Sequence, residues 1–133
     1  MAQLIDGKAI SQQIKDELKA EVEALKNDGT DICLAVIQVG DDPASSVYVR
    51  NKKRACAYIG VESRAYELPE DTTEEQLVEL VKELNADDTV NGILVQLPLP
   101  AQIDEDKIIR TISADKDVDG FHPESVGRLW IGE

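Results

Sequence analysis

Apolar residues recur along the chain with two alternating periods. Ile10, Ile14, Leu18, Val22 and Leu25 follow one another at three- or four-residue steps, which draws one apolar stripe along a helix. Asp6 is placed to cap its start, and Asp28-Gly29 to end it. Residues 32–39, Ile-Cys-Leu-Ala-Val-Ile-Gln-Val, are continuously apolar up to Gln38 and rich in β-branched residues. A strand covered on both faces, as in a parallel sheet, reads this way. Gly40-Asp41-Asp42-Pro43 turns the chain, with Asp42 an N-cap and Pro43 a first helical residue. A second helix is predicted over 44–59, stopped near Gly60. Glu62 to Leu68 reads as a second strand. Thr72 and Glu75 have capping-box spacing, and Leu77, Leu80, Val81 and Leu84 form the core face of a third helix. Asn91-Gly92 reads as a turn before a short buried strand, Ile93-Leu94-Val95. Gln96-Leu97-Pro98-Leu99-Pro100 ends that strand, because proline cannot donate to a sheet ladder. Asp104 caps a helix carrying Ile108, Ile109 and Ile112, and Asp115 to Gly120 is a charged turn. The tail from Phe121 fits no single pattern, though Leu129 and Trp130 call for burial. Helix–strand alternation of this kind predicts an α/β domain of three layers, a mostly parallel sheet flanked by helices.

Charge narrows the function classes. Of 133 residues, 14 are Lys or Arg and 27 are Asp or Glu, a formal net charge of −13. This argues against a general nucleic-acid or anionic-membrane binder. The longest apolar run, Ile32 to Ile37, is too short to span a bilayer, and the first residues carry no basic region followed by an apolar stretch. Cys33 and Cys56 fall in a strand and a helix, so two buried thiols of a reducing, cytoplasmic compartment are the simpler reading, with a disulfide left open. One histidine and no CxxC leave no metal site. No GxGxxG, Walker A or GxSxG pattern is present.

Ligands of open parallel sheets sit beyond the carboxyl ends of the strands. Segments 40–43 and 96–100 occupy that edge. Ser45, Tyr48 and Lys52 lie on one stripe at the start of the second helix, with Gln96 entering from the neighbouring loop. A lysine partly removed from water loses basicity and becomes useful in proton transfer. On spacing alone, a half-buried tyrosine with a solvated lysine beside it is the stronger reading. Arg50, Lys52, Lys53 and Arg54 gather positive charge, as either an anion-attracting face or a solvated face paired with carboxylates. Asp117 and Asp119 flank a turn. Either carboxylate could accept from an amine-bearing heterocycle, and turn chemistry explains both equally well. The spacing is not that of an EF-hand, and His122 has no motif partner.

Taken together, segments 43–56 (Pro-Ala-Ser-Ser-Val-Tyr-Val-Arg-Asn-Lys-Lys-Arg-Ala-Cys), 92–100 (Gly-Ile-Leu-Val-Gln-Leu-Pro-Leu-Pro) and 115–123 (Asp-Lys-Asp-Val-Asp-Gly-Phe-His-Pro) resemble a known family. In that order and spacing they are similar to the bifunctional methylenetetrahydrofolate dehydrogenase/methenyltetrahydrofolate cyclohydrolases of one-carbon metabolism, most of all the bacterial ones. Ile-Asp-Gly-Lys (5–8) and Val-Gly-Arg-Leu (126–129) fit as well.

The resemblance implies catalytic roles for Lys52, Tyr48 and Gln96. It implies a folate site formed by Tyr48, Ser45, Gln96, Leu97, Pro98, Pro100 and Asp119, with Asp119 anchoring the pterin. It implies oxidation of 5,10-methylenetetrahydrofolate with NADP, then hydrolysis to 10-formyltetrahydrofolate, a supply line to purine biosynthesis. Tetrahydrofolate derivatives are the expected partners, with no metal, no nucleic acid and no membrane, and the full-length parent is expected to be a cytoplasmic homodimer. Family members carry a C-terminal Rossmann domain for NADP, with a glycine-rich loop that these 133 residues lack. The expectation is therefore that 1–133 form the folate-binding catalytic domain, that 121–133 begin the connection to an NADP-binding domain, and that the chain alone is not a dehydrogenase. Two other readings remain: a non-catalytic folate-binding or assembly module, and the substrate domain of an unrelated dehydrogenase.

Overall fold

The computed structural model describes residues 3–132. Met1 and Ala2, part of the stretch read for a signal, and Glu133, the end of the expected connection, lie outside the described residues. Three parallel strands, β1 (Cys33–Val39), β2 (Glu62–Leu68) and β3 (Gly92–Val95), form a sheet in the order β2-β1-β3. The described residues also form five α-helices: α1 (Gly7–Asn27), α2 (Pro43–Ile59), α3 (Glu74–Ala86), α4 (Glu105–Thr111) and α5 (Pro123–Ile131). The α/β architecture is the one the periodicity predicts.

Helix boundaries follow local chemistry. The Asp6 carboxylate accepts from the N–H groups of Lys8 and Ala9 at the start of α1. The Asp42 carboxylate accepts from Ser45 N–H at 2.9 Å, ahead of Pro43, and Gly60 ends α2 at φ +89, a conformation that costs glycine little. Two boundaries differ from the sequence reading. The capping box belongs to Thr73 and Gln76, while the buried Thr72 donates its hydroxyl to Pro69 O at 2.6 Å. The Asn91-Gly92 turn is instead a strand entry. Asn91 Oδ1 accepts from Cys33 N–H at 2.8 Å, Asn91 N–H donates to Cys33 O at 2.9 Å, and Gly92 already pairs with Leu34.

The alternation of β1 divides the core. Cys33, Ala35, Ile37 and Val39 point to one face with Ile93 and Val95, and there meet Leu77, Val81 and Leu84 of α3 and Ile108 of α4. Val36 and Leu94 point to the other face and meet Val49 of α2. Both cysteines are free and buried, and burial pushes both thiols up from their ordinary range. The tail resolves as α5. His122 caps it by accepting Glu124 N–H on Nδ1, a structural use of the single histidine. Leu129 and Trp130 are not buried as expected: they are 79% and 90% exposed, because α5 lies against none of the sheet's core. Among the described residues no helix is long and apolar enough to cross a membrane.

Candidate functional site

The strand order creates a crevice. The chain leaves β1 through α2 on one face of the sheet, and leaves β3 toward α4 on the opposite face. Loops diverging in this way open a gap beyond the carboxyl ends of β1 and β3, where open α/β sheets bind ligands. Segments 42–52, 96–100 and 117–122 converge there.

Gln96 is set by the sheet. Its N–H donates to Ile37 O at 2.8 Å, which extends the β1–β3 ladder past the end of β3. Its side-chain Nε2 donates to Leu97 O at 3.1 Å, and this directs Oε1 the other way. Lys52 Nζ donates to that Oε1 at 2.6 Å. An ammonium offers only donors, so an amide oxygen satisfies it without neutralising it. The lysine is thus held in place.

Ser45 lies buried in the first turn of α2. Its hydroxyl donates to Leu97 O at 3.5 Å, a long bond that ties the helix to the 96–100 loop. Tyr48, one turn before Lys52 on the same helix stripe, is 59% exposed. Leu97 and Pro100 are half-buried, Pro98 is exposed, and the Leu97–Pro98 peptide is cis. The basic run of α2 divides: Lys52 goes to Gln96, whereas Lys53 pairs with Glu67 at 3.2 Å as the solvated-face reading expects.

The two aspartates, equivalent by spacing, separate in the structure. Asp117 is occupied by its own turn, accepting Gly120 N–H at 3.1 Å and His122 N–H at 2.8 Å. Asp119 has no hydrogen-bond partner among the described residues. Burial pushes its carboxyl up from the usual range, the Lys52 charge pulls it back, and the Asp117 charge adds to the rise. An acceptor with no partner among the described residues, within the field of an ammonium, suits a ligand bearing N–H donors.

Sequence reasoning missed Glu105, whose carboxylate accepts Leu99 N–H at 3.1 Å and so holds the proline loop from α4. The available signal was an acid in the first turn after that loop, which reads as ordinary helix-dipole chemistry. A cavity of about 680 Å³ lies on the other side of α2, lined by Gln38, Ser46, Arg50, Lys53, Glu67 and Glu70 among others; it takes in Arg50 and Lys53 of the basic run but none of the residues expected to bind folate. No group of His, Cys, Asp and Glu residues that could hold a metal ion occurs among the described residues.

The sequence model of the tetrahydrofolate dehydrogenase/cyclohydrolase catalytic domain matches residues 5–119. The chain belongs to this family. It is 65% identical to the bifunctional protein FolD of Agathobacter rectalis over 133 residues, which is 100% of this chain and 48% of that protein. The crystal structure of the bifunctional enzyme FolD, a methylenetetrahydrofolate dehydrogenase/cyclohydrolase from Campylobacter jejuni, superposes with a TM-score of 0.95 at 52% identity, covering 98% of this chain and 46% of that one. The Trypanosoma brucei methylenetetrahydrofolate dehydrogenase-cyclohydrolase, solved with NADP cofactor and inhibitor, superposes with a TM-score of 0.93 at 38% identity, covering 98% and 44%. The chain spans about half the length of the curated relatives it matches.

The turn after β1 does not fit a dinucleotide's diphosphate. A diphosphate needs glycines in a strand-to-helix turn and free N–H groups at the helix start. After β1 that turn contains Asp41 and Asp42, with Asp42 already on Ser45 N–H, and the Glu70 carboxylate lies directly over Gly40. Anions already fill the place where a diphosphate would sit.

Proposed function

We propose that this chain is the folate-binding catalytic domain of a methylenetetrahydrofolate dehydrogenase/methenyltetrahydrofolate cyclohydrolase. In the whole protein, 5,10-methylenetetrahydrofolate is oxidised to 5,10-methenyltetrahydrofolate with NADP as acceptor. Water then adds to the methenyl carbon, and ring opening gives 10-formyltetrahydrofolate. Residues 121–133 begin the connection to an NADP-binding domain. The homodimer, the cytoplasmic location and the supply of purine biosynthesis belong to the same proposal.

The observation that carries it is the pairing of Lys52 with Gln96 at 2.6 Å, near an Asp119 carboxylate with no hydrogen-bond partner among the described residues. Asp119 accepts from the pterin's amino and ring N–H groups. Tyr48 stacks on the ligand, and Leu97, Pro98 and Pro100 line its path. Lys52 assists water attack at the methenyl carbon and relays the proton, with Gln96 fixing where its ammonium stands. Ser45 locks the helix to the loop that carries Gln96.

The test is a titration of the chain with 5-formyltetrahydrofolate followed by amide NMR, with Asp119→Ala and Lys52→Ala beside it. Saturable shifts at 45–52, 96–100 and 119, weakened in Asp119→Ala, are expected. A folded chain with no shifts at millimolar ligand would refute a preformed site. Hydrolysis of methenyltetrahydrofolate above the solvent rate, lost in Lys52→Ala, distinguishes the enzyme from a binding module.

A further inference from the structure

Asp119 stands in a loop only a few residues long, anchored at both ends. Upstream, a 3-10 turn over Ala114–Lys116 is fastened to the end of α3, where Lys116 Nζ donates to Leu84 O at 3.0 Å and to Asp87 O at 2.8 Å. Asp117 then bridges in parallel to Ile93 of β3. Downstream, α5 starts at Pro123. Between these anchors the carboxylate of Asp117 is the only side chain bonded to the loop's backbone among the described residues. One oxygen takes Gly120 N–H and the other takes His122 N–H, at 3.1 and 2.8 Å. Both oxygens are committed, and they close the chain around Val118 and Asp119. Gly120 takes φ +70, so the closure needs a residue that tolerates the left-handed region.

We propose that Asp117 is a positioning residue: its two backbone hydrogen bonds set where Asp119 stands relative to Lys52, and thereby how tightly a donor-bearing heterocycle is held, without Asp117 touching the ligand. The proposal rests on the folate reading for the identity of that heterocycle, but not for the geometry. A carboxylate is required for the closure. The asparagine of Asp117→Asn presents an NH₂ group to one of the two N–H groups, and two donors cannot bond. Holding an acid here also has a cost, since its charge faces Asp119.

Two measurements on the 133-residue chain test this, one without ligand. In the first, the Lys52 ammonium is followed by ¹⁵Nζ NMR against pH. Lys52 faces Asp119, so its shift should show an inflection where Asp119 titrates, and that inflection should vanish in Asp119→Asn. In Asp117→Asn and Asp117→Ala it should be lost or at least halved while Asp119 still titrates. Asp104→Ala, which removes the cap of α4 and lowers stability elsewhere, should leave it intact. In the second, affinity for 5-formyltetrahydrofolate should fall roughly tenfold in Asp117→Asn, as expected for loss of a charge-assisted hydrogen bond at one remove. An unchanged Lys52 inflection in a folded Asp117→Asn overturns the proposal, whatever the ligand does. Wild-type inflection and its loss in Asp117→Asn, with no folate binding by either chain, would uphold the positioning role and reject the folate reading.

Discussion

The two faces of the sheet do different work. On the α3/α4 face, Leu77, Val81, Ile93 and Ile108 are buried to 1% exposure or less within one continuous apolar cluster. On the α1/α2 face the buried cluster is Val36, Val49 and Leu94, with Leu34 packed beside it. The remaining surface there goes to chemistry and to solvent. Gln38 donates to Ser46, Lys52 reaches Gln96, and Lys53 reaches Glu67. Polar contacts tie α1 to α2: Tyr58 donates to Asp16, Gln12 donates to Tyr58, and the Lys19 ammonium stands 4.8 Å from the Tyr58 ring centroid. A closely packed face holds the sheet rigid. The other can then spend its side chains on a site, because the strand ends that carry Gln96 are already fixed from below.

The largest effect should come from breaking the packed face. Leu77→Ala leaves a cavity at a fully buried position and should cost about 2–5 kcal/mol, read as a lower urea midpoint with unchanged slope. Asn91→Ala acts on the strands shared by both faces. It leaves the buried Cys33 N–H without its acceptor and should cost roughly 1–3 kcal/mol by the same measurement. Leu18→Ala makes the same chemical change as Leu77→Ala on the open face, where Leu18 is 40% exposed, and should cost less than about 1 kcal/mol. Equal losses at Leu18 and Leu77 would break the comparison. Lys52→Met should change stability least, by under roughly 0.5 kcal/mol, and yet alter the site.

That alteration has a sign. Burial lifts the Asp119 carboxyl, and the ionised form is the one that accepts from a ligand. Folate affinity should therefore decline on acidification from a pH above the ordinary carboxylate range of about 3.9. The charged groups facing Asp119 are Lys52 and Asp117. Lys52→Met removes the cation that holds the carboxyl down, so the decline should begin at higher pH. A midpoint that stays put in Lys52→Met would separate Lys52 from Asp119.

Much of the fold was legible because local chemistry states it directly. Asp42-Pro43 and Gly60 bracket α2, and the unbroken run through Val39 announces a strand covered on both sides. Ambiguity arose where one local rule fits twice. Thr72-Thr73-Glu74-Glu75-Gln76 holds two registers of one capping box, and only the burial of Thr72 against Pro69 selects the second. The stripe Ile10, Ile14, Leu18, Val22, Leu25 does form one side of α1, but Val22 alone is buried. An apolar period records that a face favours cover, and carries no information about what covers it.

For the site, the motifs named the residues, and spacing placed Ser45, Tyr48 and Lys52 on one stripe. Nothing local to Asp117 or Asp119 distinguishes them, since both are aspartates in one turn. Their roles part only because the turn closes on the first and leaves the second facing Lys52. The Glu105 contact with Leu99 was invisible for a related reason: a carboxylate in a first helical turn looks the same whether it faces solvent or a loop.

The sequence by itself determined the helices and strands, their parallel character and the list of chemical groups, because caps, turns and hydrophobic periods act over a few residues. Only the tertiary structure decided which groups meet. Lys52 and Gln96 lie 44 residues apart and come within 2.6 Å because β1 and β3 are neighbours whose exits diverge to opposite faces. That adjacency is a property of strand order, which arises from packing across the whole sheet and is written in no single segment.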